Sequence, residues 1–77
     1  MKGRDAEKQF LEAFEELADP VFRFCYFKLA GDRELARDIT QETFLRTWEY
    51  LMLGKEVKML RALLYKVARN LIIDYFR

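Results

Sequence analysis

The chain has 77 residues, of which 52% are hydrophobic and 16% aromatic, and its 14 basic and 13 acidic side chains leave a net charge of +1. This length allows one small domain, the apolar content excludes a disordered segment, and no apolar run is long enough to cross a bilayer. The first residues lack the apolar stretch of a secretory signal, so we expect a cytoplasmic protein without membrane insertion.

Histidine is absent and Cys25 is the single cysteine. The chain therefore cannot form an internal disulfide, and it lacks the commonest metal ligand and general base. Cys25 stands among aromatic residues, where we expect a small buried side chain rather than a nucleophile. We predict no catalytic residue, no metal and no cofactor, and hence no enzyme.

The first part of the chain predicts two helices. Apolar residues recur at helical spacing over residues 5–17, with glutamates on the other face. Asp19 followed by Pro20 has the pattern of an N-cap and a first helical residue, so we expect a second, strongly aromatic helix over residues 20–29.

Glycines mark both ends of the third predicted helix. Gly31 ends the second helix, Asp32 caps the third, and Gly54 stops it. Successive turns give this helix an inner face. Its predicted members are Leu35, Ile39, Thr43, Tyr50 and Leu53.

The same helix carries further apolar residues beside its inner face. Phe44, Leu45, Trp48 and Met52 lie next to a strip of Asp38, Gln41, Glu42 and Glu49. An aromatic anchor among carboxylates and an amide is typical of a surface that binds a protein. Alternatively, Trp48 and Leu45 pack against the last helix and the acids face water. Spacing supports both interpretations equally.

The last predicted helix runs from about Met59 to the final residue, after a loop over residues 54–58. Four apolar residues form its predicted inward stripe, with Tyr75 near the edge: Leu60, Leu64, Val67 and Leu71. Its opposite face carries Lys66, Arg69, Asn70, Ile73 and Arg77.

Charge is distributed unevenly along the chain. Residues 1–56 carry a net charge of −3 and residues 57–77 a net charge of +4, which indicates separate partners for the two ends. Lys, Arg and Asn at turn spacing could contact phosphates and a base edge. An ordinary solvated helix face is the alternative, and composition alone favours it.

Two segments resemble a known family. Residues 38–48 (DITQETFLRTW) and, after a short loop, residues 60–75 (LRALLYKVARNLIIDY) resemble region 2 of the extracytoplasmic-function (ECF) sigma factors of bacterial RNA polymerase. The likeness extends upstream through residues 14–17 and the aromatic second helix. It implies an all-α bundle of about four helices.

The resemblance also implies partners and sites. In the family, the helix with the Asp-x-x-Gln-Glu motif binds the clamp helices, a coiled coil of the polymerase β′ subunit. The implied polymerase-binding residues are Asp38, Gln41, Glu42, Leu45 and Trp48. The last helix engages and melts the minus-ten promoter element, and the loop of residues 55–59 helps to hold a flipped base of the non-template strand. The implied DNA-binding residues are Lys58, Arg61, Lys66, Arg69, Asn70, Ile73 and Arg77.

Where many members have Phe-Arg-Ala-Trp-Leu, this chain has Leu-Arg-Ala-Leu-Leu at residues 60–64. It lacks two aromatic residues at the DNA-facing turn. We expect residues 1–77 to be one region 2 domain, a fragment without the region that reads the minus-thirty-five element, and therefore a weak DNA binder alone.

A second hypothesis is a helical interaction module whose main partner is an anti-sigma factor that masks the polymerase-binding surface. A DNA binder would prefer the non-template strand and weaken steeply with salt, which separates the two hypotheses. An independent helix-turn-helix repressor is disfavoured, because no short glycine-containing turn joins the last two predicted helices.

Overall fold

The structure is a computed structural model that describes residues 2–77, with side chains from Asp5 onward. It contains three α-helices: α1 spans Lys2–Lys28, α2 spans Arg33–Met52 and α3 spans Leu60–Phe76. Each helix packs against the other two, and no strand occurs in the described residues. The predicted all-α class is confirmed. The predicted count of four helices is wrong, because the first two predicted helices are one continuous helix.

Pro20 lies inside α1 and does not begin a new helix. The helix continues because buried residues recur at every fourth position on both sides of Pro20 and form one stripe. The stripe consists of Ala13, Leu17, Val21, Cys25 and Leu29. Proline cannot donate a hydrogen bond to the carbonyl four residues earlier, which belongs to the exposed Glu16. Water can reach that carbonyl, so the burial on the inner side outweighs the missing bond.

A tight turn joins α1 to α2. Ala30 and Gly31 have positive φ angles of 57° and 80°, a conformation that glycine adopts at little cost. The Asp32 carboxylate then accepts a hydrogen bond of 3.1 Å from the backbone N–H of Leu35. The predicted end at Gly31 and N-cap at Asp32 are both confirmed.

The buried face of α2 is rotated from the predicted one. Thr43 is fully buried as predicted, but Tyr50 and Leu53 are 37% and 73% exposed, and Phe44 is in the core at 4%. The cause is α1, whose Phe14 ring packs edge-on against Phe44 at 5.0 Å between centroids. This contact draws the Phe44 side of α2 inward and leaves the opposite edge exposed.

Two of the most buried residues of α2 are threonines. The Thr43 hydroxyl donates to the Ile39 carbonyl at 2.7 Å, and the Thr47 hydroxyl donates to the Thr43 carbonyl at 2.8 Å. Because a buried hydroxyl without a partner is costly, these bonds within the helix allow polar side chains to lie where α1 and α3 meet α2.

The core side of α3 consists of residues spaced four apart. Leu60, Leu64, Ala68 and Ile72 are buried. Val67 and Leu71, which the sequence placed in the inward stripe, are only half-buried, and Tyr75 is 55% exposed. Because α1 and α2 both contact α3, its buried side is wider than a single helix neighbour would produce.

Cys25 is buried in the core, as predicted. Burial raises the pKa of its thiol, and a hydrogen bond with the Thr40 side chain opposes part of that rise. A protonated, enclosed thiol is unreactive, so Cys25 fills space between α1 and α2.

Candidate protein-binding and nucleic-acid-binding surfaces

The five residues predicted to bind polymerase form one continuous strip along α2, which we call the α2 patch: Asp38, Gln41, Glu42, Leu45 and Trp48. Their spacing places them on successive turns of one helix side. Gln41 and Asp38 are exposed, Leu45 is half exposed, and Glu42 and Trp48 are partly buried. The strip therefore offers an amide, two carboxylates and two apolar groups to solvent.

Trp48 is held by α1 and not by the last helix. Its ring lies 5.0 Å from the Phe10 ring, centroid to centroid, and the Phe10 ring also meets Phe44 edge-on at 6.1 Å. The alternative interpretation, in which Trp48 packs against the last helix, is wrong. The indole is fixed against Phe10 and keeps a part of its surface exposed.

An apolar groove between α1 and α2 adjoins the α2 patch. It has a volume of about 330 Å³. Leu45 and Trp48 form its α2 wall with Phe44, and α1 contributes Phe10, Leu11, Phe14 and Glu7. The α1 half of this surface was not predicted from the sequence. Leu11 and Phe14 have ordinary core spacing, and only the packing of the helices leaves them 54% and 46% exposed.

Glu42 is held by Arg46, a contact that was not predicted from the sequence. Arg46 Nε donates to Glu42 Oε2 at 2.8 Å, and both side chains are about half exposed. The i,i+4 spacing could have identified the pair. An exposed pair of this kind adds little stability, but it orients the Glu42 carboxylate, which can accept further hydrogen bonds.

Most of the residues predicted to bind DNA lie on the outer side of α3, whereas Lys58 is in the loop before it and Arg61 is in the first turn, on the side that carries Leu64 and Ala68. All seven are exposed: Lys58, Arg61, Lys66, Arg69, Asn70, Ile73 and Arg77. Among residues 5–77, the Glu42–Arg46 pair is the only salt bridge, so none of these cations is neutralised by a neighbouring carboxylate there. Leu60 is buried instead of DNA-facing, and Leu63 is half-buried.

A cleft connects the α2 patch to α3. It has a volume of about 250 Å³ and is lined by Arg46 and Tyr50 from α2 and by Asn70 and Asp74, among others, from α3. Arg46 thus touches both regions, since it pairs with Glu42 on one side and borders Asn70 on the other. The two predicted surfaces are neighbours on one side of the domain.

The loop before α3 borders a separate cavity of about 480 Å³. Residues 54–57 form one wall, and Asp5, Gln9 and Leu51 contribute to the other. Gly54 has a φ of 79° with open space around it, which lets the chain turn away from α2. The predicted base-binding loop is therefore next to a cavity with both polar and apolar walls.

Within the described residues, no group of three or more Cys, Asp or Glu side chains could hold a metal ion. No helix in that part of the chain is long and apolar enough to span a membrane.

Known proteins are similar to this chain over most of its length. The family model for Sigma-70 region 2 matches residues 13–77, which includes all of α2 and α3 and most of α1. The chain belongs to this family. Sigma factors are non-enzymatic transcription initiation factors, so the prediction that this chain is not an enzyme is confirmed.

Three curated relatives agree with the resemblance to ECF sigma factors. The ECF RNA polymerase sigma factor SigL of Mycobacterium tuberculosis is 39% identical over 71 residues, which cover 90% of this chain and 40% of SigL. SigM of Bacillus subtilis is 35% identical over 66 residues, covering 86% of this chain and 39% of SigM. BldN of Streptomyces coelicolor is 32% identical over 69 residues, covering 88% of this chain and 26% of BldN.

The chain thus spans less than half the length of these relatives. No solved structure gives a significant match. The predicted identity as a region 2 domain of the ECF type is confirmed by the family and by these relatives.

Proposed function

We propose that this domain acts in transcription initiation, where it binds the β′ clamp helices of bacterial RNA polymerase and the minus-ten promoter element. The observation that carries the proposal is the pairing of two surfaces with opposite chemistry on neighbouring helices of a sigma-70 region 2 domain. The α2 patch is acidic and apolar, and the outer side of α3 is basic. The domain would work in the cytoplasm, with polymerase and promoter DNA.

The α2 patch suits a helical protein partner. Trp48 supplies the large aromatic group that often dominates binding energy, and its contact with Phe10 limits the side-chain entropy lost on binding. Glu42, oriented by Arg46, and the exposed Asp38 and Gln41 supply hydrogen-bonding groups around it. Carboxylates at the edge favour a basic partner and steer its approach.

The outer side of α3 suits DNA. Its exposed Lys and Arg side chains can neutralise phosphates, which supplies affinity independent of sequence. The Asn70 amide can both donate and accept hydrogen bonds, as reading a base edge requires. We assign backbone contacts to Lys66, Arg69 and Arg77, and a base contact to Asn70.

The cavity beside residues 54–57 is our candidate pocket for a flipped base. A captured base needs walls that exclude water from its ring and polar groups that meet its edge. Leu51 offers an apolar wall, and Gln9 and Asp5 offer an amide and a carboxylate. The volume exceeds that of a single base, so the loop would close further when the base enters.

The apolar groove supports a second partner, an anti-sigma factor. A helix seated between Phe10, Leu11 and Leu45 would cover part of the α2 patch and exclude polymerase. Recognition of an amphipathic helix by an apolar groove is a common binding mode. This role is compatible with polymerase binding, because the two partners would compete for one surface.

DNA binding is tested with a single-stranded oligonucleotide of the minus-ten non-template strand. The Arg69→Ala, Asn70→Ala double variant should bind it at least about fivefold more weakly, since base-edge contacts are worth roughly 1 to 3 kcal/mol. Arg37→Ala, an exposed arginine on α2, is the matched control and should bind normally. Unchanged binding by the double variant would remove α3 from the DNA interface.

A further inference from the structure

An aromatic pair lies where α1 meets α3, and a third, exposed ring lies one turn away on the outer side of α1. Phe24 on α1 packs edge-on against Tyr65 on α3, with 5.3 Å between ring centroids. Phe27 lies one turn from Phe24 on the outer side of α1 and is 77% exposed, and its ring meets the Tyr26 ring edge-on at 5.7 Å between centroids. No other large hydrophobic residue among the described ones exposes a greater fraction of its surface. An aromatic side chain left this open has no role in the core.

Cations alternate with these rings. Lys28 Nζ lies 5.6 Å from the centroid of the Phe24 ring, and Arg69 is one helical turn from Tyr65. Arg23 is one turn from Phe27 on α1. Residues four apart are neighbours on a helix surface, so each ring has an exposed cation beside it. We call these six residues the α1–α3 seam: Arg23, Phe24, Phe27, Lys28, Tyr65 and Arg69.

The seam continues the basic side of α3 onto α1. Arg69 belongs to both, because it is an exposed residue of the basic side and a neighbour of Tyr65. Stacking rings combined with cations are the elements by which proteins hold single-stranded nucleic acid. A protein partner would instead favour carboxylates or an apolar groove such as the one at the opposite end of α1.

We propose that the α1–α3 seam binds single-stranded DNA, with a base stacked on Phe27 and the backbone held by Lys28 and Arg23. This inference rests on the proposed DNA-binding function and extends its surface to a helix for which neither the motif nor the charge split predicted a DNA contact. The strand would run from the outer side of α3, past Arg69 and Tyr65, onto the end of α1.

The test measures the affinity of single-stranded minus-ten oligonucleotides for variants of the whole chain. Phe27→Ala should weaken binding about 5- to 30-fold, which is the lower part of the range for one base–aromatic stack. Phe27→Trp should restore it, because the larger ring stacks as well. Lys28→Ala should lower the slope of log affinity against log salt by about 0.7, the value for one phosphate contact on a single strand.

Two exposed residues far from the seam are the controls. Leu53→Ala removes a 73% exposed apolar side chain, and Lys8→Ala removes an exposed lysine from the other end of α1; neither should change affinity or slope. Helical circular dichroism should be the same for all variants, since Phe27 and Lys28 are exposed.

The outcomes separate this inference from the function on which it rests. If Phe27→Ala and Lys28→Ala bind DNA normally while the Arg69, Asn70 double variant is impaired, the seam is overturned and DNA binding by α3 stands. If the parent chain binds no single strand, both fail. If Phe27→Ala weakens binding of a β′ clamp-helix fragment and not of DNA, the seam is a protein contact and the inference is wrong.

Discussion

The α2 patch and the outer side of α3 differ in how firmly the fold holds their side chains. Trp48 rests on Phe10, and Glu42 is bonded to Arg46. The cations of α3 are exposed and have no salt bridge in the described part of the chain. A fixed surface favours one partner of matching shape, whereas exposed cations without a carboxylate partner suit a flexible polyanion. The two surfaces should therefore respond differently to salt and to substitution.

The dependence of binding affinity on salt concentration should differ most strongly between the two surfaces. If about four cations contact single-stranded DNA, raising salt from 50 to 200 mM should weaken DNA binding roughly 50-fold. Binding of the clamp helices should change much less, because apolar burial contributes more of its free energy. Fluorescence anisotropy with labelled oligonucleotide and labelled clamp-helix fragment measures both. Equal salt dependence of the two would contradict the assignment.

Removal of the aromatic anchor should have the next largest effect. Trp48→Ala should weaken clamp-helix binding by about 2 kcal/mol, roughly 30-fold, as for other buried aromatic anchors. The affinity for DNA should differ from that of the parent chain by less than about twofold, after correction for the fraction of folded protein. Leu53→Ala, an exposed apolar residue that caps the same helix on a different side, is the control. An equal loss in this control would show that the effect is not specific to Trp48.

The third prediction concerns α1, which supports both surfaces. Its N-terminal half holds Trp48 through Phe10, its C-terminal half contacts Tyr65 through Phe24, and Pro20 lies between. Pro20→Ala should raise the free energy of unfolding by about 1 to 3 kcal/mol, because a helical proline lacks an N–H donor. Urea denaturation measures this free energy. A loss of stability would indicate two separate helices, as predicted from the sequence.

The smallest expected effect comes from Cys25. Its pKa is raised in the folded protein, so the neutral thiol favours folding below the thiol pKa of the unfolded chain. That contribution is lost as the pH rises through the folded pKa. As the pH is raised from neutral to alkaline, the free energy of unfolding should therefore fall less in Cys25→Ala than in the parent chain. Urea denaturation of both proteins at each pH measures this difference. Identical pH dependence would show that the thiol is not desolvated.

Much of the architecture was predictable from local signals. The Gly31 turn and the Asp32 cap follow from side-chain chemistry within a few residues, and the structure has both. Pro20 was misread, because the local N-cap signal of Asp19 and Pro20 competes with a buried stripe that extends far beyond it. Burial of a long apolar stripe contributes more free energy to folding than one missing hydrogen bond costs.

The candidate site was predictable where one helix carries it. The α2 patch and the basic side of α3 each have helical spacing within one segment, and their residues do share a side. Groups that depend on two helices were not predictable, such as Trp48 on Phe10 or Tyr65 on Phe24. Periodicity indicates which residues face inward but not which helix they meet, and this also explains the rotated face of α2.

The most direct test of the account is binding of a β′ clamp-helix fragment to the purified domain, measured by calorimetry or pull-down. We expect the parent chain to bind the fragment and the Gln41→Ala, Glu42→Ala double variant to lose most of that affinity. Arg37→Ala, an exposed residue on the same helix, should bind like the parent. Failure of the parent chain to bind, or full binding by the double variant, would contradict the assignment of the α2 patch to polymerase.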